Sequence, residues 1–369
     1  MASSPHTPDL AAPPPVVWDA DRDDTLRCVQ VRQETHDVRS FVLAPDEPRS
    51  FRYRPGQFIT LELKIDGQKI NRCYTLSSTP TRPDLVSITV KRVPGGPVSN
   101  WLHDHLRAGM RLSAIGPAGE FSCFHHAPAP RYLFLSGGSG ITPLMSMTRA
   151  LHDLGSDADI VFVHCARSPA DLLFPEELTL MARNMPALRL AMVCEQHTPG
   201  SAYAGHLGRM DAARLAHIAP DFLRRDIYTC GPAPFMAAIR QLLSVAGYDM
   251  ARYREESFSF DAPAPSPAAD AAPADGATAV ETATHTVTLQ TSGQSFACHG
   301  DQTILQAAQA AGVRMPSSCS NGVCGTCKTR KQSGEVEMHH NGGIRPREVA
   351  QGWILPCCSK PLGDVALER

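Results

Sequence analysis

A Pro-Gly turn at Pro55 and Gly56 leads into Gln57-Phe-Ile-Thr-Leu-Glu-Leu63, where apolar and polar side chains alternate as in a half-buried strand. Further along, the pattern changes to unbroken apolar runs. Residues 131–136, 160–164, 188–194 and 226–230 each read as a buried strand. The first is followed by Gly137-Gly-Ser-Gly140 and a helix opening at Ile141-Thr-Pro143. Such strands, separated by helix-length stretches, predict a parallel α/β sheet. Alternation returns near the end, where residues 285–290 and 294–298 predict a strand pair. A helix then starts from an N-cap at Asp301, with Ile304, Leu305 and Ala308 on one face and Gly312 just past its end. Residues 334–338 predict one more strand.

Two stretches carry no such periodicity. The N-terminal residues hold Pro5, Pro8, Pro13, Pro14 and Pro15, and residues 261–283 are dominated by Ala, Pro and Asp. Neither has much to bury, and prolines favour an extended chain. The expected organisation is a disordered tail over 1–22, a strand-rich domain over 23–127 and an α/β parallel-sheet domain over 128–260. A linker over 261–283 and an α+β module over 284–369 complete it. With 369 residues and 43% hydrophobic content, the chain has room for several real cores. A net charge of -2 gives no nucleic-acid signature. No apolar run reaches bilayer length and no signal peptide is visible, so the expectation is a cytoplasmic protein with no membrane attachment. In that compartment its 12 cysteines read as reduced thiols and metal ligands.

The cysteine spacing is the strongest chemical signal. Cys319-Ser-Asn-Gly-Val-Cys324-Gly-Thr-Cys327, followed thirty residues later by Cys357, has the plant-type spacing of a [2Fe–2S] cluster. Small residues let a loop carrying three thiolates wrap inward, and its backbone N–H groups can bond the sulfurs. A zinc site would want a second Cys-x-x-Cys or a paired histidine, and the sequence has neither at suitable spacing. Cys358 competes with Cys357 for the fourth place; the position after Leu355-Pro356 favours Cys357. Cys298 reads as an ordinary buried thiol.

Two further constellations suit nucleotides. Arg72 and Tyr74 are two apart on a strand, so they share a side, where a guanidinium can pair with phosphate and a ring can stack on a planar ligand. After the next strand, Gly95, Gly96 and Ser99 sit at a helix start suited to a pyrophosphate. The glycine turn after residues 131–136 is a second anion cradle.

The succession of Arg72-Cys-Tyr-Thr75, Gly-Gly-x-Gly-x-Thr-Pro and Cys230-Gly-Pro232 resembles the ferredoxin-NADP reductase superfamily, and residues 284–369 resemble a β-grasp ferredoxin. The resemblance implies a small antiparallel β-barrel over 23–127 with a flavin, FAD over FMN from the Gly-Gly-x-x-Ser segment, held by Arg72, Cys73, Tyr74, Thr75, Gly96, Val98 and Ser99, with Thr75 near the flavin's reactive edge. It implies a nicotinamide dinucleotide against Gly137, Gly138, Gly140, Thr142, Pro143, Cys230, Gly231 and Pro232, with Cys230 beside the nicotinamide ring. Thr75 and Cys230 are thus the candidate catalytic residues. The coenzyme is expected to be NADH; Arg167, placed where some relatives hold an extra phosphate, keeps NADPH open.

Hydride donors deliver two electrons and a [2Fe–2S] centre takes one, and a flavin converts between them. The order of domains resembles reductases of oxygenase systems, especially those serving Rieske-type oxygenases that demethylate glycine betaine and similar quaternary ammonium compounds. The implied partner is such a terminal oxygenase, served by a monomeric reductase. Delivery to a hybrid-cluster protein is a second reading, and a non-enzymatic iron–sulfur carrier a third.

Overall fold

The computed structural model describes residues 16–20, 22–124, 131–198, 202–258, 283–313, 315, 317 and 320–369. Cys319 and nearly all of the stretch read as a linker lie outside them.

Alternation in the first part folds into β1 (Thr25–Thr35), β2 (Val38–Pro45), β3 (Phe58–Ile65), β4 (Gln68–Thr75), β5 (Val86–Lys91) and β6 (Arg111–Ala118). These form one antiparallel sheet of order β4-β3-β6-β1-β2-β5. A bridge between Leu76 and Ile88 joins its two ends, so the sheet closes around Leu26, Phe41, Leu43, Leu61, Leu76 and Ile88. Helix α1 (Pro97–His105) follows β5. The stretch drawn as a tail to residue 22 has a packed end: Trp18 is buried against Phe51 and its Nε1–H donates to the Gly116 carbonyl at 2.9 Å. Its polar handle is thereby satisfied in the core.

The apolar runs become parallel strands β7 (Arg131–Gly137), β8 (Asp159–Ala166) and β9 (Leu188–Cys194), then short β10 (His206–Leu207), β11 (Asp226–Gly231) and β12 (Tyr253–Ser257). Helices α2 (Ile141–Asp153), α3 (Pro175–Asn184), α4 (Ala212–Ile218) and α5 (Ala233–Val245) connect them. The sheet order is β10-β9-β8-β7-β11-β12. Strand order therefore reverses between β7 and β11, which opens a crevice at their carboxyl ends. The expected four strands are present, and β10 and β12 extend them at the two edges. Arg225, with no exposed surface, ties the sheet's lower end together: it bonds Asp159 at 2.9 Å, Asp221 at 2.8 Å and the Tyr132 carbonyl at 3.1 Å. Across the domain boundary, Arg82 pairs with Asp153 at 2.8 Å, and buried Arg149 reaches from α2 to the Ser77 carbonyl.

The last part contains β13 (Thr284–Leu289), β14 (Gln294–His299), α6 (Ile304–Ala310), β15 (Thr329–Ser333), β16 (Val336–Met338), α7 (Pro346–Ala350), β17 (Trp353–Ile354), β18 (Ser359–Pro361) and β19 (Val365–Leu367). Its main sheet has the order β14-β13-β19-β15-β17, with α6 packed on it as in a β-grasp domain. One sequence expectation is corrected here. The N-cap of α6 is Thr303, which accepts from the Gln306 N–H while the Gln306 side chain accepts from the Thr303 N–H. That reciprocal capping box outcompetes Asp301, whose carboxylate would sit two residues too early.

Candidate functional site

Strand β4 is the hinge of the site because its two faces do different work. Arg72 and Tyr74 lie on one side by alternation, where Tyr74 packs at the margin of the barrel core. Asn71 and Cys73 lie on the other side. There the Asn71 amide donates to the Cys324 carbonyl at 3.1 Å and the Cys73 thiol faces the Val323 carbonyl at 3.7 Å. The Cys73 side chain thus meets the cysteine loop, not the face that carries Arg72 and Tyr74.

At the end of β4, Thr75 is buried and its hydroxyl donates to Glu256 Oε2 at 3.2 Å. Glu256 comes from β12, which pairs with β11 so that Glu256 stands opposite Cys230. Thr75, Cys230 and Glu256 therefore converge from three distant segments. Desolvation pushes the Glu256 carboxyl up to about 8, with the Thr75 hydroxyl pulling the other way. Burial thus favours the neutral carboxyl over the carboxylate. Cys230 has no exposed surface, and burial pushes its thiol well above the ordinary range. A thiol so placed shapes the site as a neutral group. Among the residues of β12, the pairing with Thr75 singles out Glu256.

Ser99 and Val98, expected near a pyrophosphate, stand in the first turn of α1 with their side chains already engaged. The Ser99 hydroxyl accepts from the Val93 N–H at 3.1 Å, and Val98 is buried in the barrel core. Gly96 is the N-cap of that helix with no side chain to block an approaching anion.

The glycine turn after β7 and the Cys230-Gly231-Pro232 segment after β11 touch one another at the point where strand order reverses. A Cβ on Gly140 would lie 2.4 Å from the Cys230 carbonyl, so only glycine lets the turn come this close. Thr142 and Pro143 are buried in the opening turn of α2, and the Thr142 hydroxyl donates to the Ser139 carbonyl at 3.2 Å. Above the turn lies a cavity of about 350 Å³ that Gly137, Gly138 and Pro232 line at one end. Gly140, Thr142, Cys230 and Gly231 build its support from behind. Three cations also line it, and each has a carboxylate: Lys91 with Asp37 at 3.0 Å, Arg167 with Asp171 at 2.8 Å and Arg209 with Glu195 at 3.2 Å. Asp37 belongs to the barrel, and no sequence signal linked it to this cavity.

Cys324, Cys327 and Cys357 are 2%, 3% and 6% exposed, and the latter two stand within one apolar cluster. Such burial suits sulfur ligands turned inward to a metal. The Gly322 N–H donates to Cys357 Sγ at 3.3 Å and the Thr326 N–H to Cys324 Sγ at 3.5 Å. Gly322 has a φ of +74°, and a Cβ there would meet Cys358 Sγ at 2.8 Å. Cys358 itself turns toward the Leu355 carbonyl at 3.5 Å, so the N–H donor of the loop goes to Cys357. These features fit an iron–sulfur cluster, whose sulfurs take backbone N–H bonds.

Comparison with known proteins matches the three parts separately. Residues 25–123 match an oxidoreductase FAD-binding domain, 134–241 an oxidoreductase NAD-binding domain and 287–362 a 2Fe-2S iron-sulfur cluster binding domain. The chain is 48% identical over 346 residues to a glycine betaine monooxygenase reductase subunit of Pseudomonas aeruginosa (strain UCBPP-PA14), covering 93% of this chain and 94% of the relative. It is 43% identical over 345 residues to a stachydrine N-demethylase reductase subunit of Rhizobium meliloti (strain 1021), covering 94% and 96%. Among solved structures, phthalate dioxygenase reductase superposes with a TM-score of 0.56 at 25% identity, covering 95% of this chain and 98% of that one.

Proposed function

Since the chain belongs to the family of FAD- and [2Fe–2S]-dependent, NADH-oxidising reductases that serve oxygenases, we propose that its acceptor is a Rieske-type oxygenase demethylating glycine betaine or a similar quaternary ammonium compound. The observation that carries this reading is similarity over almost the whole chain to two reductase subunits, one named for glycine betaine and one for stachydrine N-demethylation. The reductase works in the cytoplasm as a monomer, and the oxygenase component holds the substrate.

In this reading Cys319, Cys324, Cys327 and Cys357 hold the cluster, and Arg72, Tyr74 and the Gly96 turn hold FAD. Gly137, Gly138 and Pro232 receive the nicotinamide dinucleotide. Bound there, FAD supplies the exchange between hydride and single electrons, and the cluster supplies one-electron carriage to the partner. The chain's own residues position and insulate. Glu256, its neutral form favoured by burial, fixes the Thr75 hydroxyl at the mouth of the centre. Cys230 closes the floor without adding charge. The paired Lys91, Arg167 and Arg209 offer no uncommitted cation to an extra phosphate, which favours NADH. On the outer side of the cysteine loop, Ser320, Asn321 and Asn341 are exposed, and this is the edge offered to the oxygenase.

The test is a reconstituted assay with a purified Rieske-type glycine betaine oxygenase component. NADH oxidation and formaldehyde release should both depend on the reductase, the oxygenase and glycine betaine together. Electron delivery to a purified hybrid-cluster protein, with none to the oxygenase, would replace this reading by the alternative.

A further inference from the structure

The cysteine loop does not rest on the barrel by shape alone. Glu62 of β3 projects from the barrel and is 27% exposed at its side chain. It faces two cations of the ferredoxin part: Lys328 Nζ at 3.7 Å and Arg345 Nη2 at 3.5 Å. Lys328 in turn bonds Glu348 at 2.6 Å, and Glu348 accepts from the Arg345 N–H at 2.9 Å. Arg345 is 5% exposed and also donates to the Ala114 carbonyl of β6 at 3.1 Å. Nearby, Arg347 stands 3.7 Å from Asp24. Packing is equally close, because a Cβ on Gly342 would lie 2.4 Å from the Ala118 side chain. Beside this lattice sit the Asn71 bond to the Cys324 carbonyl and the Cys73 contact with Val323.

We propose that Glu62, Lys328, Arg345 and Glu348 form an electrostatic latch that docks the ferredoxin part on the flavin barrel, with Asn71 setting the register of the cysteine loop against β4. These are positioning residues, acting through the loop they hold. The inference rests on the electron-transfer reading above, because only there does the register of loop and strand matter. Two charges of the same sign on one part facing a single carboxylate on the other make the latch sensitive to Glu62. Removing Glu62 leaves the two positive charges of Lys328 and Arg345 to Glu348 alone. Partial exposure of Glu62, Lys328 and Glu348 lets salt screen the contact. The latch therefore holds at low ionic strength and loosens as salt rises.

Cys73 supplies a built-in reporter, since its thiol is covered by the Val323 backbone in the docked arrangement. The experiment uses the cofactor-loaded full chain. Alkylation of Cys73 by iodoacetamide is followed by mass spectrometry of its peptide, alongside stopped-flow absorbance of flavin and cluster after mixing with NADH. For Glu62→Gln, Cys73 alkylation should be roughly tenfold faster at low salt, the change that a loss of about 1.4 kcal/mol in docking produces. In the unaltered protein, added salt should raise the alkylation rate; in Glu62→Gln it should have little further effect. Glu62→Asp should restore most of the protection. Flavin and iron content, and flavin bleaching by NADH, should match the unaltered protein in both variants. Equal alkylation rates in unaltered protein and Glu62→Gln at all salt concentrations would overturn the latch. So would a loss of flavin or iron in Glu62→Gln, which would mark Glu62 as a general structural residue. Failure of NADH to bleach the unaltered protein is a different outcome, and it would overturn the electron-transfer reading beneath.

Discussion

Glu256 brings a carboxyl from the last strand of the nicotinamide domain against Thr75 of the barrel, and its burial decides its charge. Cys324 is the residue whose loss should separate the two halves of the relay. In Cys324→Ser the absorbance of the cluster and delivery to the oxygenase should vanish, while flavin bleaching by NADH persists; visible spectra before and after anaerobic NADH read both. Asp37→Asn combined with Asp171→Asn uncouples Arg167 from its two carboxylates, so the NADPH to NADH ratio of kcat/KM should rise by roughly tenfold or more. An unchanged ratio would place the selectivity elsewhere. His164 gives a pH signature. It is fully buried, accepts from the Leu173 N–H at 3.2 Å through Nε2 and bonds Ser136 at 2.8 Å through Nδ1. Desolvation lowers it from 6.5 to about 3. The native state therefore stays neutral where the unfolded chain takes up a proton, and stability is full above pH ~6.5 and falls as pH drops toward ~3. Between pH 6.5 and 5 the loss should be about 2 kcal/mol in denaturant titrations. His164→Gln should flatten that slope.

Among the elements, the sheet of the nicotinamide domain depends on a single buried guanidinium. Arg225→Ala would leave the buried Tyr132 and Asp159 carbonyls unpaired beneath β7, β8 and β11, while Asp159 and Asp221 keep Arg131 and Arg189, at a cost of about 1–3 kcal/mol; the thermal unfolding of that domain measures it. Arg225 was not legible in the sequence, because an arginine before a strand reads as a surface residue until the chain brings two aspartates to it. Elements whose own residues dictate their period were legible: the buried runs that became β7, β8, β9 and β11, and the alternation of β3, β13 and β14. The Thr303 cap is written locally as Thr-x-x-Gln, with an acidic residue two positions earlier competing for the same role. The candidate site divides the same way. The cysteine spacing and glycine turns are local signals, whereas Glu256, Asp37 and Asn71 acquire roles only through contacts between segments far apart in sequence.

For the whole molecule, the barrel touches both of the other parts. The nicotinamide cavity opens above the β7 and β11 ends, Thr75 and Glu256 mark the junction, and the far face of β4 meets the cysteine loop. A single strand thus separates Arg72 and Tyr74, proposed to face the flavin, from Asn71 and Cys73, which meet the cysteine loop. Tethering the parts in one chain keeps them at high effective concentration, and the salt-sensitive contact at Glu62 tunes how long they stay together. The most direct test of the relay is anaerobic addition of NADH to the purified, cofactor-loaded protein, followed by visible absorbance and low-temperature electron paramagnetic resonance. The account predicts bleaching of the flavin band together with the resonance of a reduced [2Fe–2S] cluster, and reoxidation of that cluster when a Rieske-type oxygenase is added. Flavin bleaching with a cluster that stays oxidised, or no bleaching at all, would contradict it.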